Sequence, residues 1–311
     1  MSKLENTLWV EKYRPKNLSE YVGNEDVKGK IERWIEQGDI PHLLFHGTAG
    51  TGKTTISKII AKHLDADVLY INASDENSVD VLRDKIKGFV ATSGFSRWKI
   101  VILDEADFST QNFQAALRNL METYSKTARF ILTCNFVEKI IDPIQSRLTY
   151  FNIVPPDKKT VALKAVEILK AENIVFDPKD VIALVEQSYP DQRKVINSLQ
   201  RNVIEGKLVV DQDVKMLSGY CERVLNELKQ IDRPADVIFK NIRQIIADVK
   251  VRDFTELFRY LFDNMNDFVP NGKRSGVIIQ LAEHQFRSNQ VVDQEIQVMA
   301  MIINILMEIK E

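Results

Sequence analysis

Only two cysteines, Cys134 and Cys221, occur among 311 residues. That is too few for a disulfide framework or a cysteine-based zinc site, so both are expected to be small reduced hydrophobes of a cytosolic protein. Histidine is also scarce. His42, His46, His63 and His284 show no ligand spacing with one another or with the cysteines, which leaves no zinc-type centre to propose. No apolar run reaches the roughly 20 residues that a bilayer span needs, and residues 1–6 carry no signal-peptide apolar stretch. The expectation is a chain with no membrane partner. An excess of either charge is missing too: Lys+Arg 42 against Asp+Glu 44 gives a net charge of -2. Any contact with nucleic acid must therefore come from a local patch, not from the field of the whole molecule. The remaining composition, 44% apolar and 28% charged, is that of an ordinary globular protein, and the length predicts two or three domains.

Against these absences stands one dense segment, Gly47-Thr48-Ala49-Gly50-Thr51-Gly52-Lys53-Thr54. It follows the apolar run Leu43-Leu44-Phe45 and opens a helix predicted from about Thr54 to Leu64, in which Ile56, Ile59, Ile60 and Leu64 recur at helical spacing. Strand, glycine-rich loop and helix in that order form a phosphate-binding loop. Its glycines let backbone N–H groups point at phosphate oxygens without obstruction. Lys53 supplies a point charge to the outer phosphates and Thr54 offers a hydroxyl to Mg²⁺. Thr55, in the same turn, joins the nucleotide contacts, and the helix turns its positive end to the anion. The ligand is a nucleoside triphosphate with Mg²⁺.

About fifty residues on, the strand Ile100-Val101-Ile102-Leu103 ends in Asp104-Glu105, with Asp107 after it. Adjacent side chains at a strand end point in different directions, so Asp104 can support the metal while Glu105 reaches a water aligned on the γ-phosphate. That pairing favours hydrolysis over transfer to a second substrate. Asp107 is expected to serve the following turn structurally. A further apolar run, Phe130-Ile131-Leu132-Thr133, leads through Cys134 to Asn135, placed to contact the γ-phosphate or the attacking water.

Candidate strands at Leu43–Phe45, Val68–Ile71, Ile100–Leu103 and Phe130–Thr133 alternate with helical patterns, which predicts a parallel sheet covered by helices on both faces. Pro155-Pro156 breaks that rhythm. Beyond it no strand-like alternation recurs. Asp177-Pro178 and Asp191 read as helix starts, and Arg233-Pro234 and Pro270-Asn271-Gly272 as turns. Three parts follow: 1–154, a nucleotide-binding α/β core; 155–230, a small helical domain; and 231–311, a second helical domain. Its last helix, between Ile296 and Ile309, is interrupted only by Gln297, Asn304 and Glu308. A helix apolar on nearly every face needs cover all round, and subunit contact is expected to provide part of it.

With its flanking segments the chain resembles the clamp-loader branch of the AAA+ ATPases over most of its length. The nearest likeness is to the large, ATPase subunit of T4-type bacteriophage sliding-clamp loaders, with replication factor C small subunits close behind. Trp9-Val10-Glu11-Lys12-Tyr13-Arg14-Pro15 and Tyr21-Val22-Gly23 resemble the family's N-terminal box, which implies that Tyr13, Arg14 and Val22 border the adenine. Asn72-Ala73-Ser74-Asp75-Glu76 resembles the segment in which Asn72 would be a polar switch, holding Glu105 until DNA arrives. Ile144-Gln145-Ser146-Arg147 resembles the Ser-Arg-Cys motif, which implies that Arg147 is an arginine finger for a neighbour's ATP. Leu148 stands where the family has cysteine, a departure that touches local packing only. Pro190-Asp191-Gln192-Arg193 resembles the second sensor, making Arg193 a γ-phosphate contact. Arg83 and Arg118 are the DNA-contact candidates by the same likeness.

The resemblance implies an AAA+ parallel-sheet domain, a helical lid and an all-helical collar. It implies a DNA-stimulated ATP hydrolase that opens a sliding clamp and loads it on primer–template DNA, partnered by copies of itself and a dissimilar clamp-loader subunit. The expected location is cytoplasmic, the host's cytoplasm if the chain is viral. Two other readings stay open: a scaffold subunit that binds ATP without hydrolysing it, and a related AAA+ machine such as a helicase loader or branch-migration motor. Complete Walker residues weigh against the first. The Trp9–Pro15 box and Ser146-Arg147 weigh against the second.

Overall fold

Runs of Leu, Ile and Val too apolar to show alternation become strands covered on both sides. The computed structural model describes residues 8–75, 79–92, 96–211, 219–249, 254–288 and 290–310. Within it, β1 (Leu43–His46), β2 (Asp67–Asn72), β3 (Lys99–Asp104), β4 (Ala128–Cys134) and β5 (Thr149–Asn152) form a sheet in the order β2-β3-β4-β1-β5. Every pairing in it is parallel.

The two-residue period of a strand sorts each run into two cores. Leu43, Phe45, Ile100, Ile102 and Ile131 face α2 (Glu25–Gln37) and α3 (Lys53–His63), where Ile31, Ile56 and Ile60 meet them. Leu44, Val101, Leu103, Phe130 and Leu132 face α4 (Val79–Ala91) and α5 (Gln111–Thr123), meeting Ile86, Val90, Phe113 and Leu117. Each such side chain taken from water contributes roughly 1.5–3 kcal/mol, so the sheet is a rigid base for the loops at its ends. Leu148 is buried in the second of these cores, the packing role left to it by its departure from the family's cysteine.

Two features escaped the strand pattern. β5 has only Phe151 buried, because an edge strand needs little apolar surface. A short antiparallel hairpin joins Val203–Ile204 to Lys207–Leu208 through Glu205 (φ 49) and Gly206 (φ 76), the left-handed pair of a two-residue turn. Strands of two residues are too short to alternate legibly.

Contact density divides the chain into two units, Met1–Phe176 with Ser188–Leu208, and Asp177–Gln187 with Val209–Glu311. Pro155-Pro156 falls inside the first. There Asp157 caps α7 (Lys158–Ala171), its carboxylate accepting from the Thr160 N–H at 2.9 Å, and Asp191 caps α9 (Gln192–Arg201) in the same way. In the second unit, the described helices from Tyr220 onward share one core that includes Ile242, Leu257, Val277 and Ile302. Its final helix, Gln294–Lys310, buries Val298, Met301, Ile302 and Ile305 but leaves Ile296 and Met307 68% and 56% exposed. No described helix is long and apolar enough to cross a membrane.

Candidate active site

β4 and β1 are neighbours in the sheet but not in sequence, and the crevice at the carboxyl ends of such a pair is where open α/β sheets bind ligands. Residues 47–52 leave β1 at this point and α3 begins at Lys53. Space and conformation both demand glycine in the loop. Gly47 has φ 140 and Gly50 φ 76; a Cβ would lie 2.4 Å from the Ile153 carbonyl oxygen at the first and 1.9 Å from Asp191 Oδ1 at the second.

Lys53 is buried, and its Nζ turns back into the loop, donating to the carbonyls of Gly47 and Thr48, each at 2.8 Å, and to Asn135 Oδ1 at 2.9 Å. One ammonium thereby ties the loop after β1 to the end of β4. Burial holds its pKa below the ordinary lysine value, opposed by the charges of Asp104 and Asp107. One residue on, Thr54 Oγ1 donates to Asp104, 2.8 and 3.0 Å from its two oxygens.

Asp104 also accepts from the hydroxyl of Thr133 and, at 2.5 Å, from that of Tyr70. Glu105 then adopts φ 55 and ψ 42, a left-handed conformation uncommon for any residue with a side chain. Its N–H donates to Thr133 Oγ1 at 3.1 Å, which links the backbone of one acid to the carboxylate of the other. Buried Asp107 is structural, but at the end of β4 and not in the turn that follows it, where its part was expected: Oδ2 accepts the N–H groups of Asn135 and Phe136, both at 3.2 Å.

A cleft of about 380 Å³ is lined by Tyr13, Arg14, Val22, Gly50, Thr51, Gly52, Thr54, Thr55, Asn72, Asp104, Glu105 and Arg193, a size that suits a nucleotide. Gly47, Thr48 and Asn135 join it through Lys53, and Ala49 completes the loop. Arg193 sits in the first turn of α9, its N–H bonded to Asp191 Oδ1 at 2.9 Å. The residues fit a triphosphate with a divalent cation. Ile153, Asp191 and Tyr21 leave no room for side chains at Gly47, Gly50 and Gly52, which keeps the loop's backbone bare, and the Thr54–Asp104 pair is an all-oxygen donor set of the kind magnesium takes beside phosphates.

Three expected roles fall outside this constellation. Asn72 lies in register with Asp104, but its amide donates to Asp75 Oδ2 at 3.0 Å and accepts from the N–H and hydroxyl of Ser74 at 3.2 and 3.0 Å. The expected hold on Glu105 is not made here, because the turn after β2 takes up the amide; Glu76 lies outside the described residues. Arg147 stands at the far end of the sheet. Thr149, two residues later, donates its N–H to the His42 carbonyl at 2.8 Å, so Arg147 shares the end where strands begin with His42, Ser125 and Arg129. Its guanidinium bonds the Pro143 carbonyl at 2.5 Å and Ser146 Oγ at 3.3 Å and pairs with Glu122. Arg83 is exposed on α4, and Arg118, on α5, donates to Asn119 Oδ1 at 3.0 Å.

Sequence reasoning missed Tyr70 and Thr133 as partners of Asp104. The available signal was weak: each is a hydroxyl residue near the carboxyl end of a strand that neighbours β3.

Comparison with known proteins accords with this geometry. Residues 43–156 match the family described as ATPase family associated with various cellular activities (AAA), and residues 158–214 that described as sliding-clamp-loader large subunit, AAA+ ATPase lid domain. The replication factor C small subunit of Sulfurisphaera tokodaii is 33% identical over 314 residues, covering 97% of this chain and 96% of its own. That of Thermoplasma acidophilum is 37% identical over 306 residues, covering 95% and 96%. Among solved structures, the RuvB Holliday junction branch migration motor of Thermotoga maritima superposes with a TM-score of 0.55 at 16% identity, covering 81% of this chain and 91% of that one. Likeness at so low an identity concerns the fold alone.

Proposed function

The chain belongs to the replication factor C small-subunit family of AAA ATPases, and from that premise we propose that it opens a sliding clamp and sets it on primer–template DNA, acting in a ring or spiral with copies of itself and a dissimilar clamp-loader subunit. The observation that carries this reading is the separation of Arg147 from the phosphate loop. β1 alone, four residues long, sets roughly 13 Å between the two ends of the sheet. An interface that brings one end of a copy to the other end of the next is head-to-tail, and such contacts generate rings or open spirals.

In this reading residues 1–154 are the ATPase core, 155–230 the lid and 231–311 the collar, whose last helix offers its exposed Ile296 and Met307 to subunit contact. Backbone amides of residues 47–52, with Lys53 and Arg193, bind the phosphates of ATP, while Tyr13, Arg14 and Val22 border the base. Thr54 and Asp104 would hold Mg²⁺, which when bound would supply neutralisation of the phosphate charge. Glu105 orients the attacking water and draws its proton, and Asn135 fixes that water or the γ-phosphate. Arg147 of a neighbouring copy stabilises the charge developing on the transferred group, worth about 10³ to 10⁵ in rate. Asn72 exchanges its bonds to Ser74 and Asp75 for Glu105 in the restrained state. Arg83 and Arg118 meet the DNA backbone in the cytoplasm where replication proceeds, the host's if the chain is viral.

The test is phosphate release by the complex purified with its co-expressed neighbours, with and without primed DNA and clamp. Glu105→Gln is expected to lower stimulated turnover about 10²- to 10⁴-fold while ATP stays bound. Wild-type stimulation in that variant would overturn the assignment, and no stimulation in the unaltered complex would favour the scaffold reading.

A further inference from the structure

From the contacts of the Asp104 carboxylate, we infer that Tyr70 is a positioning residue of the nucleotide site, its phenol hydroxyl setting the orientation in which Asp104 serves the metal. The inference rests on the reading of Asp104 as a metal-holding carboxylate.

Tyr70 lies on β2, an edge strand, in register with Ile102 on β3, two residues before Asp104. Little holds the ring there as packing: the residue is 41% exposed. What it does contact is directed. Along the ring runs Lys58 of α3, its Nζ 4.6 Å from the ring centroid, one helical turn after Thr54. At the tip, Oη donates to Asp104 Oδ2 at 2.5 Å. The cation fixes the plane of the ring and the carboxylate fixes its end.

Asp104 therefore has its two oxygens constrained from different elements. Oδ1 takes the hydroxyls of Thr54 on α3 and Thr133 on β4, and Oδ2 takes Tyr70 on β2 at 2.5 Å, with Thr54 Oγ1 a longer second contact at 3.0 Å. Through Thr133, which also accepts the Glu105 N–H at 3.1 Å, the same carboxylate is joined to the backbone of the water-orienting acid. Removing the phenol leaves Oδ2 only the longer contact with Thr54, so the carboxylate plane is held less tightly against rotation about the Cβ–Cγ bond and this chain of bonds loosens at its origin. Partners that orient a metal-binding group from behind commonly account for 10–100-fold in metal affinity. For one donor of three, the lower end of that range is expected.

Tyr70→Phe retains the ring and its contact with Lys58 and deletes only the hydroxyl. Binding of a fluorescent, non-hydrolysable ATP analogue to the full chain is measured across a magnesium chloride titration and in EDTA, for the wild type, Tyr70→Phe and Asp104→Asn, with a melting curve for each. The expected result is a rise of about tenfold in the magnesium concentration for half-maximal binding in Tyr70→Phe, with binding in EDTA and melting temperature unchanged. A merely structural tyrosine would lower the melting temperature and weaken both binding arms alike, which overturns the inference. So does a magnesium midpoint within about twofold of wild type while Asp104→Asn shifts it. If neither variant shifts the midpoint, the reading of Asp104 falls, and Tyr70 with it.

Discussion

Asp107 holds the end of β4 beside the site. It is 6% exposed, its Oδ2 serves two backbone N–H groups at the end of β4, and its Oδ1 has no hydrogen-bond partner among the described residues. Alanine at this position removes the acceptor of both N–H groups at the half-buried end of β4, where Phe136 is 51% exposed and water can take over part of the bonding, at roughly 0.5–1.5 kcal/mol each. Asp107→Ala is expected to lower the unfolding free energy by about 1–3 kcal/mol in urea titrations; a loss under about 0.5 kcal/mol would mean that the strand end is held by other contacts. Residues such as Lys53, Thr54, Asp104 and Glu105 were legible because their chemistry requires a contiguous string at a strand end. Tyr70 was not, since its bond to Asp104 spans two strands and nothing local marks it. Asn72 was legible as a position but not as a set of bonds, because Ser74 and Asp75 compete for its amide.

At the scale of elements, β4 is tied at its start by a histidine. The Phe130 N–H donates to His42 Nδ1 at 3.1 Å, and burial first, then the charge of Arg129, push the His42 pKa down to about 4. An unfolded histidine titrates near 6.5. Between those values the unfolded chain binds the extra proton, so stability is complete above about pH 6.5 and falls as the pH drops toward 4, by up to about 3 kcal/mol. Unfolding free energies of wild type and His42→Asn measured from pH 7 to 4 are expected to show a shallower slope in the variant. Parallel slopes would contradict the role given to the ring. β1, β3 and β4 could be read from the sequence because helices cover both faces and force each run to be apolar, and β2, an edge strand with Ile71 alone buried, is legible from its unbroken run Val68–Ile71. β5, in which Phe151 alone is buried and Thr149 and Asn152 flank the aromatic pair, has no such run. The helix starts at Asp157, Pro178 and Asp191 depend on local capping chemistry, and two of these, Pro178 and Asp191, were visible for that reason.

For the molecule as a whole, a net charge of -2 means that the proposed DNA contact would fall to exposed cations such as Arg83 and to helix ends, which neutral chains can also use. The larger consequence of the proposed function is a divided site: one end of the sheet carries the phosphate loop and the other carries Arg147. The most direct test mixes two defective chains, Glu105→Gln and Arg147→Ala, assembled together with the dissimilar subunit, and reads DNA-stimulated phosphate release. Each variant alone is expected to be nearly inactive. Mixed equally, turnover should recover to roughly a quarter of wild type, the share of head-to-tail seams at which an intact Glu105 site meets an intact Arg147. A mixture as inactive as its components would contradict an arginine supplied by the neighbouring copy.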